Sequence, residues 1–261
     1  MEDKKGLIIA MSSKRNNQMP AVWKRQKNLQ YGFSLIESLI CLSLFLFILL
    51  SSLEFFGLTR KIFLKLKSQQ ETKLAALTAL DKMKTDLLNG GSGISEPIRL
   101  GVLEGITENN DALVVFSRER DLPLHDELVS GQTRISLEET KTIKKGRDLC
   151  IFNSKKGETK SISSVSQNSI ILSSPLEFSY KKEKSRMILL KKISFYLDKE
   201  TLRRKVNSSP AQPLLEDAAL FAFDYEKISN LIRLCIKLKE NKEKEYEASV
   251  FPKNTALAAG Q

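Results

Sequence analysis

The sequence predicts an α+β protein: a long N-terminal helix, transmembrane in its first half, packed through its second half on an antiparallel β-sheet head. Three observations carry this expectation. Residues 33–53 form an apolar run whose only charge is Glu37. Residues 54–89 contain no proline and repeat apolar side chains mostly at three- and four-residue steps, the spacing of one helical face. Residues 94–254 break into short apolar or alternating runs separated by polar turn clusters, which is how strands read.

The chain of 261 residues carries a formal net charge of +11, unevenly placed. Residues 1–32 hold seven Lys/Arg against two acids, +5, and the remainder is +6. No dense basic run with interleaved aromatics occurs, so the charge reads as a basic leader followed by a Lys-rich soluble surface rather than a nucleic-acid interface.

The run at 33–53 has the ~20 residues a helix needs to cross the hydrocarbon core, and a helix satisfies its own backbone there. The basic residues before it outnumber Arg60, Lys61, Lys65 and Lys67 after it, which favours a cytoplasmic N-terminus. A cleaved secretory signal would end in a small-x-small site, and Ser51-Ser52-Leu53-Glu54-Phe55-Phe56 offers none.

Glu37 distinguishes this run from a plain signal anchor. An acid at the centre of a membrane helix costs about 2.5–3.5 kcal/mol on insertion scales, so it needs a partner. Cleavage after Gly32 would create one. Phe33 would carry a new α-ammonium group one helical turn from Glu37, and in a bundle it could meet the carboxylate of a neighbouring subunit. The basic leader, Gly32-Phe33-Ser34-Leu35-Ile36-Glu37 and the apolar stretch together resemble the cleavage and methylation motif of type IV prepilins. The resemblance implies cleavage between Gly32 and Phe33 by prepilin peptidase, N-methylation of Phe33, and a role for Glu37 in methylation and assembly. A leader of 32 residues is long for that family, and Met11 and Met19 offer later starts.

Past Leu53, the residues Phe55, Ile62, Leu66, Leu74, Leu77, Leu80, Met83 and Leu87 predict the packing face of an amphipathic segment over 54–89. Lys61, Lys65, Gln69, Lys73, Lys82 and Asp86 occupy the other positions. Asn89-Gly90-Gly91-Ser92-Gly93 predicts the stop.

In the head, strands are expected at 111–117, 149–152, 161–165 and 169–172. A hairpin should join 193–197 to 202–206 across a four-residue loop. Leu220–Tyr225 places Phe221, Phe223 and Tyr225 on one face, and Leu231–Leu238 alternates between Ile232, Leu234, Ile236, Leu238 and a wet face with Arg233, Cys235 and Lys237. This order, with Leu202-x-Arg204, Pro213-Leu214-Leu215-Glu216-Asp217 and Phe251-Pro252-Lys253-Asn254, loosely resembles minor pilins and minor pseudopilins of the W and J types. It implies a pilin-like fold; residues 94–190 have no counterpart in it. Residues 255–261 read as a flexible tail.

Of the three cysteines, Cys41 lies in the apolar run. Cys150 and Cys235 fall in strands of what would be an extracytoplasmic head, where they could form a disulfide. Catalytic machinery is not expected. His125 is the single histidine and reads as a surface residue, no nucleophile elbow or phosphate loop occurs, and Glu108, Asp111 and Glu119 lack the spacing of a calcium loop. No metal or cofactor is called for.

The resulting expectation is a minor pilin or pseudopilin of a type IV pilus or type II secretion pseudopilus, structural in role and acting in a priming or tip complex. It would sit in the inner membrane in a single pass with its head in the periplasm. Its partners would be other pilin or pseudopilin subunits, prepilin peptidase, the inner-membrane assembly platform and membrane lipid, with nucleic acid not expected. The alternatives are a DNA-uptake pseudopilin with a nucleic-acid-contacting head and a signal-anchored extracytoplasmic enzyme.

Overall fold

The computed structural model describes residues 34–239 and 244–259. Gly32, Phe33 and the leader 1–32 lie outside the described residues. The architecture is α+β, one long apolar N-terminal helix followed by an antiparallel β head. The chain divides after Ile62 into two compact units.

The first unit holds the start of helix α1 (Leu35–Leu88). Its apolar side chains are exposed, Phe47 at 71% for example. The hydroxyls in this run are satisfied within the helix. Ser51 Oγ donates to the Phe47 carbonyl at 2.9 Å and Ser52 Oγ to the Ile48 carbonyl at 2.8 Å. A hydroxyl bonded this way brings no unsatisfied donor into an apolar medium.

In the second unit, α1 buries Ala76, Ala79, Leu80, Met83, Asp86 and Leu87. This corrects the expected packing face. Leu80, Met83 and Leu87 belong to it, but Leu74 and Leu77 are exposed, at 66% and 40%, as are Phe55, Ile62 and Leu66. The alanines take the inward positions because a small side chain lets the helix backbone approach the sheet. The helix stops where the glycines predict. Gly91 (φ 77°) and Gly93 (φ 71°) turn the chain in the left-handed region, where glycine carries no steric penalty. The short helix α2 (Ser95–Arg99) follows, unforeseen in the sequence.

Nine strands form one antiparallel sheet. They are β1 (Ile106–Asn109), β2 (Ala112–Leu122), β3 (Arg134–Ser136), β4 (Asp148–Asn153), β5 (Gly157–Ser166), β6 (Ser169–Leu172), β7 (Ser185–Asp198), β8 (Thr201–Val206) and β9 (Gln212–Leu215). The path runs β1-β2-β7-β4-β5-β6-β3, with β8 also on β7 and β9 on β8. A second antiparallel sheet is β10 (Ala218–Glu226), β11 (Leu231–Leu238) and β12 (Glu245–Val250), in that order.

Strand β7 is the spine. Ile193 and Phe195 enter the core shared with α1 and the second sheet, Met187 and Leu189 enter a separate core around Tyr180 and Ile170, and Ile188 and Leu190 pack with Ile94 and Phe116. Residues 94–190 therefore build part of the main sheet together with a core of their own. The alternation read in β11 holds, with Ile232, Leu234, Ile236 and Leu238 buried, and Phe221, Phe223 and Tyr225 of β10 packed against the same core.

Two other expectations are corrected. The β7–β8 loop has two residues, Lys199 and Glu200, not four, because Asp198 pairs with Thr201. Both sit at positive φ (47° and 70°), the pattern of a type I′ turn. Asn110 and Asp111 fill the same positions between β1 and β2 (φ 47° and 60°) with residue types that tolerate them. Lys199→Asn with Glu200→Gly should accordingly stabilise the head by about 1 kcal/mol, measurable as a raised thermal midpoint; an unchanged or lowered midpoint would contradict the turn assignment.

The second correction concerns the C-terminus. Residue 255 does not begin a flexible tail: α3 (Lys253–Ala259) forms there, and Thr255 is buried, its hydroxyl bonded to Asn230 Oδ1 at 2.9 Å and the Pro252 carbonyl at 2.8 Å.

Candidate functional site

Glu37 opens α1. The Ser34 N–H donates to Glu37 Oε2 at 3.0 Å, and the Glu37 N–H donates to Ser34 Oγ at 3.3 Å. This is a capping box, in which a Ser and a Glu three residues on satisfy each other's free amides. The acid also lies in the first turn, where the helix dipole favours negative charge. The signal Ser-x-x-Glu before an apolar run was present in the sequence and is a second reason for an acid at this position. It fixes the Glu37 carboxylate beside the first turn, toward the end of the chain where Phe33 connects. Gly32 and Phe33, the other processing residues, lie outside the described residues.

Among the described residues, one helix, α1, is long and apolar enough to cross a membrane near the N-terminus. Cys41 lies on it, exposed with the surrounding leucines.

Within the head, the helix is fastened by charge as well as by packing. Arg204 Nε donates to Asp86 Oδ2 at 2.6 Å and Arg204 Nη2 to Oδ1 at 3.2 Å. Both side chains are nearly buried, at 13% and 7% exposure. The fork geometry of the guanidinium matches the carboxylate and fixes the rotation of α1 on β8. Asp86 was expected on the wet face. It faces inward because Arg204 supplies its counter-charge there, a pairing across 118 residues that helical periodicity does not register.

Cys150 and Cys235 are free thiols and do not bridge. Cys150 is buried on β4 in the core with Ile94, Phe116 and Phe152. Cys235 lies in the other sheet, on the face of β11 opposite Leu234. Burial pushes the Cys150 thiol up to about 12, so it is protonated and unreactive at neutral pH.

A second buried charge cluster holds the far part of the head. Glu158 accepts the N–H groups of Glu177 (3.0 Å) and Phe178 (3.1 Å), while Lys160 Nζ lies 3.0 Å from Glu158 and 2.8 Å from Glu177. Burial pushes the Glu158 carboxyl up, but the Glu177 amide, Lys160 and the Phe178 amide together outweigh it, and the group titrates below its usual 4.5. A depressed acid contributes stability above its unfolded value and loses it as pH falls through the folded one. Thermal melts should therefore show the head weakening below pH 4.5, with Glu158→Gln flattening that acid limb; an identical acid limb in the variant would refute the assignment.

The remaining candidates do not assemble a catalytic site. His125 is half-buried, and its Nε2 lies 3.4 Å from Glu138 Oε1. Asp111 and Glu119 are separated by most of β2, roughly 25 Å at 3.3 Å per residue. Glu119 pairs instead with Arg147. Cys235, Glu245 and Glu247 place donor atoms within 4.8 Å of one another, but Lys237 already neutralises Glu245.

No family model matches the chain, and no curated protein matches it. Among solved structures, the tailspike gp54 of Acinetobacter baumannii bacteriophage AP22 is similar over 30% of this chain and 15% of that one, at 18% identity and a TM-score of 0.26. The tailspike gp49 from Pseudomonas phage LKA1 is similar over 28% and 15%, at 17% identity and 0.25. The phage phi92 endosialidase is similar over 55% and 36%, at 10% identity and 0.19. The chain thus spans about a third or less of the length of these proteins, at similarities too low to bear on its fold or its activity.

Proposed function

We propose that the chain is a minor pilin or pseudopilin-type subunit, cut between Gly32 and Phe33, methylated on Phe33 and assembled through its N-terminal helix with other subunits of the same kind. The observation that carries this reading is the start of α1: Glu37 is the single charge of an otherwise apolar run, in the first turn of the helix and four residues after Phe33 in sequence. The capping box uses one carboxylate oxygen on the Ser34 amide. A charged partner at the new chain end would compensate the remaining charge in lipid, and only cleavage creates that partner.

On this reading the protein is a single-pass inner-membrane protein with a cytoplasmic leader and an extracytoplasmic head, serving a pilus or a secretion pseudopilus. Its role is structural. The head's buried ion pairs then hold a rigid module on the helix that joins the assembly.

Native electrophoresis of mildly solubilised membranes tests the assembly. The chain should migrate in complexes well above its own 29.5 kDa, together with other chains that begin with an apolar helix bearing an early glutamate. Recovery solely as a monomer from cells that express the machinery would count against the proposal.

A further inference from the structure

The main sheet forks along one edge of β7, and the fork encloses a polar cleft. Strand β7 leaves β4 after the pair Leu189–Leu149 and joins β8 from the pair Ile193–Val206. Between these, residues 190–192 have no ladder partner on that edge. Arg147 and Asn207 satisfy these backbone groups instead. Arg147 Nη2 donates to the Leu190 carbonyl at 2.9 Å, Asn207 Oδ1 accepts the Lys192 N–H at 2.8 Å, and the Asn207 N–H donates to the Lys192 carbonyl at 2.7 Å. The diverging strands leave a cavity of about 460 Å³. Its size falls within the range of about 300–1,000 Å³ typical of small-ligand sites.

The lining carries an excess of positive donors. Arg147 is 7% exposed, and its Nε has no partner among the described residues. Glu119 neutralises Arg147 through its Nη2. Lys192 and Lys205, on either side of the fork, make no ion pair among the described residues; Lys192 Nζ lies 5.7 Å from the centre of the Phe116 ring. The acid lining the cleft, Asp148, accepts the Ser161 hydroxyl. The hydroxyls of Ser194 and Ser208 line the same space. A buried arginine with a free N–H, two ammonium groups without an ion-pair partner and two hydroxyls line this one space, from β7, β8, the residue that leads into β4 and the turn that follows β8. A ligand with several charged oxygens uses such a set more fully than a carboxylate with two.

We propose that this cleft binds a small ligand bearing a phosphate- or sulfate-type oxyanion. The oxyanion sits between Lys192 and Lys205 against Arg147, and the remaining volume takes a small polar group attached to it. The site belongs to the head and is independent of how the N-terminus is processed. Its ligand could be free in solution or could be a lipid headgroup, since both present the same phosphate.

Full-length protein in phosphatidylcholine nanodiscs should bind inorganic phosphate and glycerol phosphate saturably, read by calorimetry and by a raised thermal midpoint against chloride at equal ionic strength. Lys192→Ala with Lys205→Ala should weaken that binding by at least about tenfold. Lys205→Glu, at an exposed position, should do the same alone. Replacing the lipid with phosphatidylglycerol distinguishes the sources. Protection of Lys205 from an amine-modifying reagent by that lipid without soluble phosphate assigns the headgroup, and protection only by added phosphate assigns a soluble ligand; either supports the oxyanion site. Binding no greater than with chloride, wild-type binding by the double variant, or binding of an oligonucleotide with none of phosphate or glycerol phosphate would overturn it.

Discussion

Asp86→Ala is expected to destabilise the head by about 3–5 kcal/mol, the usual result of leaving one member of a buried ion pair uncompensated. Arg204 would keep its charge at 13% exposure with no acid opposite, and the helix would lose the contact that fixes its rotation. For a unit of this size that corresponds to a thermal midpoint lower by roughly 10 °C. Arg204→Met alone should cost a similar amount, because Asp86 is then the stranded charge. The combination Asp86→Leu with Arg204→Met should recover most of the loss, since apolar residues of similar volume commonly replace buried pairs at little cost. Midpoints of the two single variants and the double variant decide the matter: additive losses would show that the pair is not the coupled unit described here.

Glu37 is the second position of large expected effect. Two physical roles meet in this residue, and they separate by substitution. A glutamine serves in a capping box about as well as a glutamate, so Glu37→Gln should leave α1 intact. It removes the charge that would pair with the Phe33 ammonium of a neighbour. If that pairing governs assembly, Glu37→Gln and Glu37→Leu should both reduce incorporation into the assembled complex by at least about tenfold, a difference of 1.4 kcal/mol or more. Leader removal should persist in both. Incorporation of the glutamine variant at the wild-type level would mean that Glu37 is a helix cap and nothing further.

The contrast between Glu37 and Asp86 shows which parts of the molecule the sequence made legible. Local patterns were readable. The apolar run, the glycine stop at 90–93 and the alternation of β11 all follow from interactions within a few residues. The helix face was readable in period but not in register. Leu74 and Leu77 were as plausible as Ala76 and Ala79 until the sheet was in place, because backbone approach rather than hydrophobicity chose the alanines. Long-range chemistry was not readable at all. Asp86 and Arg204, Glu119 and Arg147, and the cleft residues of β7 and β8 are joined by tertiary structure alone. The cysteines failed as a disulfide for the same reason, since strand character does not tell which sheet a strand enters.

The claim on which the functional account depends is that peptide-bond cleavage sets a positive chain end beside Glu37. Intact-mass and N-terminal peptide analysis of the membrane-extracted protein, from cells that contain the peptidase, reads this directly. The account predicts a chain that begins at Phe33 and carries one added methyl group on its amine. A membrane form that retains residues 1–32 would contradict it.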